Sequence, residues 1–247
     1  LAVVFAIIEA MRVPAAAIWL ARKLKLSRNP SKIACRILEH GYGHAASWRA
    51  QVPIDGDGKP TPWYTYSAIA YLSQLDFSEN TVFEYGSGNS TLWWGARSKH
   101  VVSVESAQAW ARKVSQQADS LPVEVLEATG RDEYVSALDD IFDVIVVDGD
   151  WRGACAERAL TALAPGGLIV VDNADWYPGI CAMLRAADLI QVDFSGFGPI
   201  NPYTSTTSLF LHRDFRARPV GKRQPVPDVG SHALVPDDDV LSATPQT

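Results

Sequence analysis

An acid followed by a two-glycine turn, Glu84-Tyr85-Gly86-Ser87-Gly88, stands between a strand-like and a helix-like segment and constrains this chain more than any other stretch. Before it, Thr81 to Tyr85 is short, β-branched and aromatic, which reads as a strand. After it, Ser90 to Arg97 continues as a helix, with Asn89 or Ser90 suited to its N-cap. Glycine lets the backbone turn sharply and approach a ligand closely, so the run reads as a nucleotide-type cofactor loop. Thr91 occupies the place of the third glycine of a dinucleotide fingerprint.

The next strand, His100-Val101-Val102-Ser103-Val104-Glu105, ends in an acid nineteen residues beyond Gly86. In a doubly wound sheet that carboxylate stands beside the first strand and can accept hydrogen bonds from both hydroxyls of an adenosine ribose. Glu84, at the mouth of the turn, would repel a pyrophosphate and attract a cation. S-adenosylmethionine carries an ammonium, a sulfonium and a ribose, so it suits this pair of acids better than a nicotinamide dinucleotide does.

Further strands read at 123 to 126, 143 to 147, 167 to 171, 189 to 194 and 207 to 212. Helical stretches at Ala107 to Ala118, Arg131 to Leu138 and Gly153 to Leu163 separate the earlier ones. Such alternation predicts an α/β, Rossmann-like doubly wound sheet of seven mostly parallel strands with helices on both faces. Ser195 to Thr204 links the last two strands without a helix and predicts a terminal antiparallel hairpin. Ligands of such sheets bind at the carboxyl ends of the strands, where Glu84, Glu105, Asp148 and Asp172 all fall.

The ordered series resembles the class I S-adenosylmethionine-dependent methyltransferases over roughly residues 61 to 213. Glu84 to Gly88 matches that family's first motif, Glu105 its ribose acid, Asp143 to Asp150 its fourth strand, and Leu163-Ala164-Pro165-Gly166-Gly167 its turn into strand five. The resemblance implies S-adenosylmethionine held by Glu84, Gly86, Ser87, Gly88, Ser90, Glu105 and Asp148, with Ala128 and Thr129 along the adenine edge. Two strand ends carry the chemistry: Asp148 and Asp150 after strand four, then Asp172 and Asn173 after strand five. Asp148, Asp172 and Asn173 are hard oxygen donors suited to Mg²⁺ or Mn²⁺. They resemble the ligand set of the cation-dependent O-methyltransferases. Trp151 stands where those enzymes place a catalytic lysine, leaving Asp150 or a water to take the acceptor proton, with Asp148 and Asp150 as the catalytic candidates. Without a metal, Asp148 orients substrate or cofactor instead. Trp151, Trp176, Asn201 and Tyr203 are the candidate contacts of a small-molecule acceptor bearing a hydroxyl.

A chain of 247 residues, 47% hydrophobic, can bury one good core. Its net charge of −6 argues against a general nucleic-acid partner. Cys35, Cys155 and Cys181 lack CxxC spacing and read as reduced thiols, consistent with cytoplasm. Three regions follow: a basic, helical extension over 1–54, the cofactor-binding domain over 55–215, and a Pro- and Asp-rich tail over 216–247 expected to be disordered. Leu1 to Leu20 is apolar but interrupted by Glu9, Arg12 and Pro14. It reads as a helix packing on the domain or on a second subunit of a homodimer, or as an interfacial membrane helix over 1–28. Asp55-Gly56-Asp57-Gly58 lacks a twelve-residue calcium loop and reads as a solvated turn. Trp63 to Tyr66 is placed either in the core or over the cofactor, and His44 reads as a hydrogen-bonded turn residue before a catalytic base. The sequence leaves two rivals, a nicotinamide oxidoreductase and a non-catalytic, membrane-associated scaffold with the same fold.

Overall fold

The computed structural model describes residues 29–222 and 224–232. Strands β1 (Thr81–Tyr85), β2 (His100–Glu105), β3 (Val123–Glu127), β4 (Phe142–Val147), β5 (Leu163–Val171), β6 (Ile190–Phe197) and β7 (Thr204–Leu211) form one sheet. Their order is β3-β2-β1-β4-β5-β7-β6. The first five pair in parallel, and β7 runs antiparallel to both β5 and β6. This is the doubly wound sheet with a terminal hairpin that the alternation predicts. The expected turn from Leu163 to Gly167 is instead a bulge inside β5: Leu163 pairs with Phe142, then the register shifts before Leu168 meets Val144. Gly166, at φ +78°, carries the bend.

Period-two alternation sends the strands' side chains to two apolar layers. Phe83, Tyr85, Ile145, Val147, Ile169 and Val171 face one layer. Its helices are α6 (Arg131–Ser136), α7 (Arg152–Ala162) and α8 (Pro178–Ala186). Val82, Val144, Val146, Leu168 and Val170 face the other, packed on Tyr64, Leu72, Trp93 and Trp94. Those belong to α3 (Tyr66–Leu72), α4 (Asn89–Gly95) and the segment before α3. Helix α5 (Gln108–Gln117) joins β2 to β3. Helix α8 was absent from the sequence reading. Pro178 opens its first turn, where a missing N–H costs nothing, and Ile180, Cys181 and Leu184 give it a buried face.

Ahead of the sheet, α1 (Pro30–Arg36), a π turn (Ile37–Gly41) and α2 (His44–Ala50) make up the described part of the helical extension. The membrane reading of residues 1–28 lies outside the described residues, among which no helix is long and apolar enough to cross a membrane. After Arg216 the described residues run irregularly and hydrogen-bond to residues far earlier in the chain. Asp76 N donates to Arg218 O at 2.7 Å, Val220 N to Gln74 O at 2.9 Å, and the Tyr42 hydroxyl to Asp228 at 2.6 Å.

Two glycines join the halves of the sheet. Gly86, at φ +92°, follows β1, and a Cβ there would lie 2.9 Å from the Gly149 Cα that follows β4. A Cβ on Gly149 would overlap the Tyr134 hydroxyl and lie 2.7 Å from Gly86 N. Gly149→Ala is therefore expected to lower the unfolding free energy by about 2–4 kcal/mol in urea melts. Gly153→Ala, whose Cβ meets nothing within 4 Å, should leave it unchanged or slightly raised. Equal melts for the two variants would contradict this packing.

Candidate functional site

The carboxyl ends of β1, β2, β4 and β5 open onto a cavity of about 580 Å³. It lies where the strand order reverses, between β1 and β4, which is where open α/β sheets bind ligands. The wall beneath β1 is the two-glycine turn, held on three sides. Ser87 N donates to Glu105 Oε2 at 3.1 Å, the Trp110 indole donates to Ser87 O at 2.6 Å, and Gly88 N donates to Thr91 Oγ1 at 2.9 Å. Thr91 therefore reaches back to hold the start of α4, in place of the predicted Asn89 or Ser90 cap. The Asn89 amide binds the Pro53 carbonyl instead. Gly88 is extended, and a Cβ there meets only Ser90 Oγ at 4.0 Å, so its small size leaves room for a ligand.

The predicted cofactor residues divide into two groups. Gly86, Ser87, Gly88, Ser90, Glu105 and Asp148 all line the cavity. Glu105 sits at the end of β2 as expected, its Oε1 accepting from Ala107 N at 2.9 Å. Glu84, Ala128 and Thr129 do not line it. Glu84 lies fully buried beneath the turn, where its Oε2 accepts from the Thr91 hydroxyl. Its Oε1 is the one buried side-chain oxygen or nitrogen without a partner among the described residues. Burial pushes this carboxyl up to about 8, against the opposing pull of Ser90 and Thr91. It props the turn from below rather than facing a ligand. Ala128 is buried, its N–H given to Glu105 O at 3.1 Å, while Thr129 is exposed beside it.

The opposite wall is organised by a residue to which the sequence reading gave no role. Arg152, in the first turn of α7, donates to Gly149 O (3.0 Å), Asp172 O (2.6 Å), Asn173 Oδ1 (3.2 Å), Asp148 O (2.9 Å) and Asp148 Oδ1 (2.8 Å). A guanidinium has five N–H donors, and these five bonds use them all. Asp172 points its carboxyl elsewhere, accepting from the Thr207 hydroxyl at 2.6 Å. Asp148 and Asn173 thus meet an internal cation through their side chains, and Asp172 meets it only through its main-chain carbonyl. A divalent ion does not fit this arrangement, because the guanidinium already takes the oxygens such an ion would need. Among the described residues there is likewise no cluster of three His, Cys, Asp or Glu side chains able to hold a metal.

Burial raises both acids. Asp148 reaches about 6, with Arg152 holding it down. Asp172 is pushed well above the usual carboxylate range by burial and then by the Asp148 charge. Asp150 is exposed and accepts from Ser106 at 2.6 Å, bridging the β4 and β2 ends.

Of the predicted acceptor contacts, Trp176, Asn201 and Tyr203 line the cavity. Trp176 is 56% exposed and its ring centroid lies 6.3 Å from that of Tyr203. Trp151 is not among the lining residues. Its backbone takes φ 44° at the start of α7, and its ring packs on Tyr134 at 5.2 Å. Trp63 lines the cavity, whereas its neighbour Tyr64 is buried in the core and bonded to Trp94. His44 faces Tyr66 at 3.2 Å, away from the cavity. The sequence reading missed Trp110, Tyr134 and the Gln51-Val52-Pro53 wall. That wall is fixed by buried Ser47, which bonds Ile54 through both N–H and carbonyl, and no local motif announces it.

No family model matches this chain, and no curated protein does. Several solved structures are similar in fold. One is a precorrin-6y C5,15-methyltransferase from Geobacter metallireducens GS-15, at TM-score 0.49 and 12% identity over 65% of this chain and 96% of that one. A second is the N-methyltransferase NodS from Bradyrhizobium japonicum WM9, at TM-score 0.43 and 15% identity over 58% and 89%. A third is an rRNA methylase from Streptococcus thermophilus, at TM-score 0.43 and 16% identity over 58% and 91%. The likeness concerns the fold alone and says nothing of substrate.

Glu84 gives the site a pH signature. A carboxyl at about 8 in the folded chain and at the ordinary glutamate value of 4.5 in the unfolded one makes folding take up a proton between those values. Stability then falls as pH rises through that window, by up to about 1.4 kcal/mol per pH unit. Glu84→Gln removes this dependence. Its melting temperature should match the parent at pH 5 and exceed it at pH 8, by roughly 3 °C or more. Parallel melting curves across the range would contradict a buried, protonated Glu84.

Proposed function

We propose that this chain transfers the methyl group of S-adenosylmethionine to a hydroxyl of a small-molecule acceptor, without a divalent cation. One observation carries the reading: the Gly86 to Gly88 turn, Glu105 and Asp148 open onto the same cavity at the strand-order reversal. The donor set fits this cofactor. Glu105 offers a carboxylate to ribose hydroxyls, the turn offers backbone groups at close approach, and the acids favour a ligand with sulfonium and ammonium charges. Arg152, the cation in the wall, has no donor left for a phosphate. When bound, S-adenosylmethionine supplies an electrophilic methyl group.

The chain's own residues align the acceptor and handle its proton. Trp176 and Tyr203 offer ring faces and Asn201 an amide at the cavity mouth, so the acceptor is oriented and partly stripped of water. Asp148 has Oδ1 fixed by Arg152, while Oδ2 carries no bond within the described chain. Set at about 6, that carboxylate is ionised at neutral pH and remains basic enough to take a hydroxyl proton. Asp172 lies beside it, accepting from the Thr207 hydroxyl, and its carboxyl is pushed well above the usual range by burial and by the Asp148 charge.

The test is methyl transfer from labelled S-adenosylmethionine to a panel of hydroxylated acceptors, with and without EDTA. The rate should climb as pH rises through about 6, reach a plateau and ignore EDTA. Asp148→Asn should lower kcat by about 10²–10⁴-fold with little change in S-adenosylhomocysteine affinity. A fully active Asn variant would remove Asp148 as base, and loss of activity in EDTA would overturn the metal-free reading.

A further inference from the structure

We propose that the acceptor is the ring of a neutral pyranoside, one of whose hydroxyls takes the methyl group. The methyl transfer rests on the reading of the preceding subsection, whereas the sugar seat is formed by side chains at the cavity mouth. Three large aromatic residues stand there half in solvent: Trp63 at 43%, Trp176 at 56% and Tyr203 at 46% exposure. Folding alone gives no reason to leave rings of this size uncovered around one opening.

Each ring is set in place from behind. Asn173, at φ 51°, precedes the 3-10 turn Ala174–Trp176, and Asp175 in that turn accepts from Thr206 N at 2.9 Å. This bond ties the end of β5 to the start of β7, so Trp176 and Tyr203 lie together with their planes inclined by 36°. A Cβ on Gly198 would lie 2.6 Å from Tyr64 O, so the β6–β7 connection is seated on the segment that carries Trp63. Within the connection, buried Ile200 takes φ 70°, which a β-branched residue holds only where its surroundings over-determine it. Asn201 and Tyr203 follow directly.

Beside the rings stand amides with unused capacity. Asn173 is 9% exposed, and its Oδ1 accepts from Arg152, which fixes the amide and leaves Nδ2 without a partner among the described residues. Gln51 gives Nε2 to Trp48 O and keeps Oε1 as an acceptor. The Asn201 amide is engaged at neither end within the described chain, and all three amides line the cavity. A side-chain amide both donates and accepts, which matches neighbouring hydroxyls on one ring. A pyranoside also presents faces of C–H bonds, whose partial positive charge suits the negative face of an aromatic ring. A simple phenol would cover the aromatics and leave the amides unmatched, which is costly once water is excluded.

Charge narrows the class further. Among the described residues no lysine or histidine lines the cavity, and all five donors of Arg152 are engaged. A uronate or a sugar phosphate would enter unpaired, beside the Asp148 carboxylate. A cationic acceptor would meet the sulfonium at the point of transfer. In the transfer, one sugar hydroxyl oxygen bonds to the methyl carbon as the carbon–sulfur bond breaks. The bonding pair stays on the sulfur of S-adenosylhomocysteine, and the hydroxyl proton passes to Asp148.

Saturation-transfer NMR on the full chain, with and without S-adenosylhomocysteine, tests the seat without turnover. The probes are methyl α- and β-pyranosides of glucose, galactose, mannose and rhamnose, with glucuronate, glucose 6-phosphate, catechol and choline beside them. At least one neutral pyranoside should receive saturation and, from labelled S-adenosylmethionine, a methyl group, while the two anions bind at least about tenfold more weakly. Trp176→Ala and Asn201→Ala should each raise the KM for that sugar about tenfold, with kcat changed less and S-adenosylhomocysteine affinity kept. Trp176→Phe should recover part of the loss. Binding of catechol or choline with none of any pyranoside, anions that bind as well as the neutral sugar, or sugar binding that survives both Ala substitutions would overturn the proposal. So would a folded chain that binds S-adenosylhomocysteine and no pyranoside. A chain that binds a pyranoside but no S-adenosylhomocysteine would support the sugar seat and count against the methyl-transfer reading.

Discussion

The contact between Gly86 and Gly149 sets the geometry on which the site depends. Backbone meets backbone at the ends of β1 and β4, with a separation that no side chain can share. Because the strand order reverses there, the α4 and α7 sides diverge above the contact and leave the cavity between them. Tyr134 backs Gly149 with its hydroxyl, and Thr91 and Glu84 back the turn after Gly86. A wider approach would separate Glu105 from Asp148 and dissolve the arrangement that defines the site.

Around that contact the chain manages an unusual number of buried acids. Glu84 has an apolar layer about it and is kept neutral at physiological pH. Partly buried Asp148 and buried Asp172 are handled differently: a guanidinium holds the first down, while burial and the Asp148 charge push the second well above the usual carboxylate range. The result is a cavity wall with acceptor oxygens and no spare positive charge. Such a wall favours cationic and neutral ligands over phosphates.

The sheet was legible in the sequence because its strands read as short runs rich in β-branched and aromatic residues, and all seven were placed within a few residues. Glu105 and the glycine turn were legible for the same reason: their spacing is local and repeats the geometry of a βαβ unit. Arg152 was visible only as a residue four positions after Asp148, and helical spacing alone does not tell an exposed pair from a buried clamp. Helix α8 was hidden by its opening Pro178, and the Gln51 to Pro53 wall by dependence on Ser47, far from the motifs. Glu84 was placed at the right strand end, but sequence does not distinguish a carboxylate facing a cavity from one beneath a turn. The bonds from Val220 to Gln74 and from Tyr42 to Asp228 were not legible, because their partners lie more than a hundred residues apart.

The most direct measurement is a calorimetric titration of the purified full chain with S-adenosylhomocysteine, the demethylated product, beside the Glu105→Ala variant. Binding at micromolar Kd, about −8 kcal/mol, that the variant loses by two orders of magnitude or more is the result this account predicts. A folded protein that binds no S-adenosylhomocysteine, or binds it equally well without the Glu105 carboxylate, would contradict it.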